Sequence, residues 1–448
     1  MSRGHSSGLT PKDVRYLALE GGGGKGVTYL GAIRALQNTT VRERGRDIPL
    51  LPIRLDEPLQ TRRIKGISGT SAGAITALFL AMGATADQVG GVLSKPETFE
   101  AFFDVPAPGT WRTVDANNRP TTHSGLEPWQ TAIYAAIKSG WIAALSLVKT
   151  QGAAMGWGGA ALLTRLMPAL LNVRGVSDNA LLKRLLSSTS ESVYGLLMDG
   201  GIFPGLPVRK FLQDSVNEWL LDRVQALENH TLPHPNISFA QFWRATQVDL
   251  RIIGVNLTHN RPAVFSAWHT PDFPVAEAVA ISMNLPLVFK PVEVKAKVPK
   301  RASQGRYDYQ GLWMDGGALN NLPIHVFDNP DESPDELSHA YDNPNPDLLH
   351  PGVLGLRLTD GAPGTQPRGP VQMDGSERHL WNLLGELLET LLYPSEEGQI
   401  RSAAERAQTV ELFTYALTTL DFAPADELRK QPIAEAEKSI RKYFESRG

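Results

Sequence analysis

The 448-residue sequence predicts an α/β protein with a mostly parallel sheet covered by helices. Three observations carry that expectation. VRYLAL (14–19) reads as a short buried strand that passes through a glycine run, GGGGKG (21–26), into the helix-spaced VTYLGAIRALQ. RIKGIS (63–68) repeats the arrangement, with a serine turn opening the apolar AITALFLAM. Strand signals return in LRIIGVNL (250–257) and VLGLRLTD (353–360), with helical stretches between. Strands alternating with helices in this way build a parallel sheet.

The elements follow in order. After Glu20 and the glycines, Val27, Leu30, Ile33 and Leu36 share one helical face. Residues 38–61 are charged, contain proline and lack a period, so they read as a surface loop. A helix is expected from about Ala72 to Met82. The stretch from about 95 to 200 reads as helix-rich. Within it, 142–171 is Ala- and Gly-rich and fits packed helices of a cap, or else a lid or membrane-facing element. PVRKFLQDSVNEWLL (207–221) is an amphipathic helix after the turn DGGIFPG. AVFSA (263–267) is a strand, PVAEAVAISM (274–283) a helix, and WMDGG (313–317) ends another strand. Residues 294–310 read as a basic exposed loop. Residues 328–347 read as an acidic, Pro-rich solvated excursion without the glycine-centred spacing of a calcium loop. Long helices are expected at 379–393 and 431–445.

Composition narrows the function. A net charge of −3 offers no clustered basic footprint for nucleic acid. The absence of cysteine excludes disulfides, zinc–thiolate sites and cysteine nucleophiles. The N-terminus lacks the apolar core of a signal peptide, and no stretch approaches the ~18 apolar residues of a spanning helix. The expectation is a soluble, cytoplasmic protein.

GTSAG (69–73) fits a nucleophile elbow, in which a serine is held on a sharp strand-to-helix turn. Gly69, Ala72 and Gly73 supply the small neighbours that such a turn needs, and the helix N-terminus beneath Ser71 favours developing negative charge. The glycine run offers backbone N–H groups for an oxyanion hole. It also satisfies G-x-G-x-x-G and so admits a dinucleotide site, but it fails the P-loop because Gly26 follows Lys25. Lys25 is equally readable as an exposed cation at a helix start. The base is open on local chemistry. An α/β-hydrolase would take His325, His339, His350 or His379. Asp315 in MDGGALNNLP is locked by two glycines, and Asp199 in MDGGIFPG carries the same tripeptide.

Four segments in order resemble the patatin-like phospholipases: GGGGKG, GTSAG, AISMNLPLVFKPV (280–292) and WMDGGALNNLP. The resemblance implies a three-layer α/β/α fold with a mostly parallel central sheet and a helical insertion or cap. The catalytic domain would span 14–360, with an insertion at about 95–195 and variable loops at about 294–310 and 328–347. Residues 361–448 would form a C-terminal helical extension packed on the same domain. The resemblance further implies a Ser71–Asp315 dyad without histidine, and so selects Asp315 over Asp199. It places an oxyanion hole at the N–H groups of Gly22, Gly23, Gly24 and Lys25, with Gly69 and Gly73 as the elbow glycines. No cofactor and no metal are implied. The implied enzyme is a serine carboxylic-ester hydrolase of phospholipase A or lysophospholipase type, acting on a phospholipid or lysophospholipid at a transient membrane surface. An activating ligand or protein partner is left open. The apolar 142–171 segment and a basic cluster of Lys295, Lys297, Lys300 and Arg301 are expected to flank the entrance.

Overall fold

The computed structural model describes residues 8–43, 45–57, 62–93, 102–150, 188–228, 236–296, 309–328, 349–365, 402–419 and 424–447. The N-terminal unit is β1 (Tyr16–Leu19), a 3₁₀ turn over Gly23–Thr28, and α1 (Tyr29–Asn38). A hairpin of β2 (Thr40–Glu43) and β3 (Arg46–Pro49) follows, then β4 (Gly66–Gly69), α2 (Ala72–Ala81) and α3 (Ala86–Leu93). Next come a second hairpin, β5 (Thr110–Val114) and β6 (Pro120–Ser124), then α4 (Pro128–Thr150), α5 (Thr189–Met198), β7 (Gly201–Phe203), α6 (Leu206–Glu228) and α7 (Phe239–Thr246). The remaining elements are β8 (Asp249–Asn256), β9 (Arg261–Phe265), α8 (Val275–Ser282), β10 (Leu287–Phe289), β11 (Val292–Val294), β12 (Gly311–Asp315), β13 (Val353–Thr359), α9 (Ala403–Ala407), β14 (Thr409–Phe413) and α10 (Asp426–Glu445).

Ten strands form the main sheet in the order β14-β13-β1-β4-β8-β12-β11-β5-β6, with β9 added beside β8. The run β14-β13-β1-β4-β8 is parallel throughout. The fold is therefore the expected α/β architecture with a large, mostly parallel central sheet.

Strand side chains alternate between faces, and two apolar clusters reflect that alternation. Leu17, Leu19, Ile252, Leu354 and Leu356 belong to the large cluster shared with α1, α2 and α8. Ala18, Ile253 and Val353 point the other way, onto Ile324, Val326 and Phe327. Helix α10 packs along α1 and reaches the Gly23–Thr28 turn.

The register on β8 is what builds the site. Strand β4 runs parallel to its first half, ending with Gly69 opposite Ile252. Strand β12 runs antiparallel to its second half, ending with Asp315 opposite Gly254. Both share paired positions with β9, which occupies the other edge of β8. Strands β4 and β12 therefore lie on one edge, and their C-terminal ends meet head to head. The β8 positions they face, Ile252 and Gly254, are two residue steps apart, about 7 Å along the strand.

Strand β12 is held in that place by packing. Trp313 is fully buried, packs tilted against Phe265 with ring centroids 4.7 Å apart, stacks on Tyr309, and donates its indole N–H to Tyr309 O at 2.8 Å. Trp313 and Asp315 lie on the same face of the strand. Truncating a buried tryptophan costs about 3–5 kcal/mol, so Trp313 fixes the position of the carboxylate two residues on.

Two expectations are corrected. The 38–61 segment contains the β2–β3 hairpin, turned through Gly45 at φ +77°. The helix-rich reading of 95–200 meets the β5–β6 hairpin, whose turn is built by Asp115 accepting from the N–H groups of Asn117 and Arg119. Its signal was the β-branched TWRTV and PTTHS around an Asn-Asn pair. Most of 142–171, the 379–393 helix, most of the 294–310 loop and most of the 328–347 excursion lie outside the described residues. Among the described residues no helix is long and apolar enough to cross a membrane.

Candidate active site

Ser71 sits between β4 and α2 at φ 51°, ψ −121°. A non-glycine residue rarely adopts a positive φ, and such strain collects at functional sites. Close backbone approach explains the flanking glycines. A Cβ on Gly69 would lie 2.3 Å from Gly73 O, and one on Gly73 would lie 2.4 Å from Leu19 O. Ser71 is buried, and its N–H donates to Ser282 Oγ at 3.0 Å.

Asp315 ends β12 and is fully buried. Its Oδ1 accepts the Gly317 N–H at 2.8 Å. Burial raises the carboxyl to about 7, while the Gly317 N–H and the Ser71 hydroxyl favour its charged form. The Ser71 hydroxyl is thus close enough to act on the carboxylate, yet Oδ2 has no partner in hydrogen-bond geometry among the described residues. Catalytic hydrogen bonds are commonly long before substrate binds and tighten in its complex.

The segment after Asp315 ties the three motifs together. Thr70 Oγ1 donates to Asn320 O and Ser68 Oγ to Pro323 O, both at 3.0 Å. Gly21 N–H donates to Asn321 O at 3.1 Å.

The glycine loop stands beside the elbow. Gly23 has φ +51°, and a Cβ there would fall 2.2 Å from Thr419 O. Its four candidate amides are not equivalent. Gly24 N–H donates to Thr419 O and Lys25 N–H to Gly22 O, both at 3.0 Å. Those of Gly22 and Gly23 have no partner among the described residues. Ala72, first in α2, has no intrahelical partner for its N–H. Val27, Ile75, Leu93, Met283, Leu285 and Pro424 wall an apolar cleft onto which Ser71, Gly23 and Gly24 also face.

Lys25 is not the exposed cation its position allowed. It is buried and pairs with Asp360 at 2.9 Å. Glu20, just past β1, carries a buried carboxylate that holds the base of the glycine loop. It accepts Leu358 N–H at 2.6 Å and Asn321 Nδ2 at 3.3 Å. Burial raises it to about 7, with Arg357 the largest opposing influence. A lone acidic residue at a strand end carries little signal in sequence, because its partners come from positions over three hundred residues away.

The rival bases are placed elsewhere. Asp199 forms a buried ion pair with Lys290 at 2.6 Å and also accepts Gly109 N–H. Both ring nitrogens of His325 are engaged, by Asp328 at 2.8 Å and Glu405 at 2.5 Å. His350 Nδ1 accepts Gly352 N–H at 3.0 Å. His339 and His379 lie outside the described residues. Among the described residues, no three His, Asp or Glu side chains gather as a metal site would need.

Residues 17–328 match the model of the patatin-like phospholipase family. The chain belongs to that family. Patatin-like phospholipases are lipid hydrolases as a class, and the matched segment of this family member contains Ser71, Asp315 and the glycine loop. An uncharacterized protein, R571, of Acanthamoeba polyphaga mimivirus is 28% identical over 123 residues, 28% of this chain and 34% of the relative. The match thus spans about a third of that relative's length. Among solved structures, VipD from Legionella pneumophila is similar at 16% identity and TM-score 0.43, over 97% of this patatin-like chain and 67% of VipD. ExoU from Pseudomonas aeruginosa, solved in complex with SpcU, is similar at 18% identity and TM-score 0.35, over 98% of this chain and 53% of that one.

Proposed function

We propose that the chain hydrolyses fatty-acyl esters of phospholipids or lysophospholipids through a Ser71–Asp315 dyad. One observation carries the reading: a buried carboxylate oxygen without a partner, on a strand whose end abuts the strained serine. Ser71 Oγ attacks the ester carbonyl, and Asp315 Oδ2 takes its proton. An ordinary aspartate is a weak base, but one raised to about 7 is matched to neutral pH. The oxyanion forms against the N–H groups of Gly22 and Gly23, with Ala72 N–H on the elbow side. Gly24 and Lys25, whose N–H groups are engaged within the fold, act by shaping the loop. Asp315 returns the proton to the leaving alcohol. Water, activated by the same carboxylate, then cleaves the acyl-enzyme. The apolar cleft beside Ser71 receives the acyl chain.

The reading extends to the protein's surroundings. The enzyme works in the cytoplasm and touches membranes transiently. The C-terminal extension belongs to the same unit as 14–360, a reading supported by its described residues, which carry not only helices but also β14, paired with β13. The test is fatty-acid release from a panel of phospholipid and lysophospholipid vesicles, wild type against Ser71→Ala. Release by wild type and none by the variant is the expected result. Equal release by both would reject Ser71 as the nucleophile.

A further inference from the structure

The C-terminal turn of α8 touches both members of the dyad. Ser282 Oγ accepts the Ser71 N–H at 3.0 Å. Two residues on, Asn284 O accepts the Asp315 N–H at 3.1 Å. Ser282 and Asn284 are buried, at 0% and 1% exposure, so neither contact competes with water.

This turn is itself anchored. The Asn284 side chain accepts from Arg112 Nη2 and donates to Lys290 O at 2.9 Å. Arg112 also reaches Ala280 O at 3.3 Å. Within α8, Glu277 is fully buried and is gripped by Arg209 through both carboxylate oxygens, with Arg112 Nη1 3.5 Å away. A buried ion network thus fixes the helix whose end holds the two reacting residues.

We infer that Ser282 is a positioning residue for ester hydrolysis: its hydroxyl holds the Ser71 backbone in the strained elbow, while Asn284 O holds Asp315 at the matching distance. The inference rests on the Ser71–Asp315 reading. Ser71 keeps φ 51° without a glycine's freedom, so its conformation must be held by its surroundings. The Ser282 hydroxyl is the group that takes up its N–H. Without it, the elbow relaxes and the Ser71 hydroxyl withdraws from the carboxylate. That hydroxyl favours the charged form of Asp315. Its withdrawal therefore moves the acid limb of the rate profile to higher pH.

The experiment compares wild type, Ser282→Ala, Ser282→Thr and Ser71→Ala on one soluble short-chain ester, recording kcat and KM from pH 5 to 9 beside a thermal melt. For Ser282→Ala we expect kcat lower by roughly 10- to 100-fold, since misplacement by about 1 Å can cost 10²-fold. KM is expected to stay within about twofold, and the acid limb to rise. Ser282→Thr keeps the hydroxyl and restores most of kcat. If Ser282→Ala matches wild type in kcat and pH profile while Ser71→Ala is dead, the inference falls and the dyad stands. If Ser282→Ala loses activity with the acid limb unmoved and threonine gives no rescue, the role is structural and the inference also falls. If Ser71→Ala retains wild-type turnover, the dyad reading falls instead.

Discussion

Replacing Asp315 with asparagine should make this protein more stable and nearly inactive. The carboxyl titrates at about 7 in the fold, against an ordinary 3.8. The folded state therefore binds the proton more tightly than the unfolded chain does. Stability falls as pH rises from the unfolded value toward 7 and is level above it. At pH 8 the charged carboxylate costs at most about 4 kcal/mol, and at pH 5 less than about 2 kcal/mol. Asparagine keeps an acceptor for Gly317 N–H and carries no charge. Thermal melts of Asp315→Asn should thus exceed wild type by a few degrees at pH 8 and by less at pH 5. Ester turnover should drop by roughly 10²- to 10⁴-fold, the usual contribution of a general base. An asparagine variant that is destabilised equally at both pH values, or that keeps wild-type turnover, would refute the reasoning.

Other expectations follow from the same geometry. Gly23→Ala should abolish turnover and lower the melting temperature, because the new Cβ would fall 2.2 Å from Thr419 O at a φ of +51°; ester kinetics and a melt check it. His325 would be lowered by burial alone, but Asp328 and Glu405 outweigh this and raise it to about 9. Its stabilisation, at most about 3 kcal/mol, is present below pH ~6.5 and lost as pH rises through 9, so the gap between wild-type and His325→Gln melts should close over that window. Asp199→Asn should melt lower, since it removes the partner of buried Lys290, yet its folded fraction should keep kcat, in contrast to Asp315→Asn. Neutralising Lys295, Lys297, Lys300 and Arg301 together should weaken binding to anionic vesicles in a flotation assay, and unchanged binding would remove the basic loop from the docking surface.

The parts of the fold that were legible in the sequence are those encoded locally. The elbow needs small residues around one serine, and GTSAG displays them within five positions. Strand β1 announces itself as an apolar run that stops at a glycine turn, and β4 by its place directly before the serine turn. The choice of Asp315 over Asp199 was not local, since both stand before two glycines. Resemblance to a family made that choice. The physical reason appears only in the register, where Gly69 and Asp315 meet on one edge of β8 while Asp199 turns to Lys290. The engagement of Gly24 N–H by Thr419 is equally non-local, as is the burial of Lys25 against Asp360. Both partners come from the C-terminal third, more than three hundred residues along the chain from the glycine loop. The β5–β6 hairpin was readable from its β-branched residues and its Asn-Asn turn, but the helical composition around it obscured it.

The central claim is that Ser71 is the nucleophile and that Asp315 activates it. The most direct measurement is peptide mass spectrometry after treatment with a fluorophosphonate, following adduct formation over time in wild type and Asp315→Asn. The account predicts a single phosphonylated peptide carrying Ser71, formed at least about tenfold more slowly in the variant. An adduct on another serine, or equal rates on Ser71 in both proteins, would contradict it.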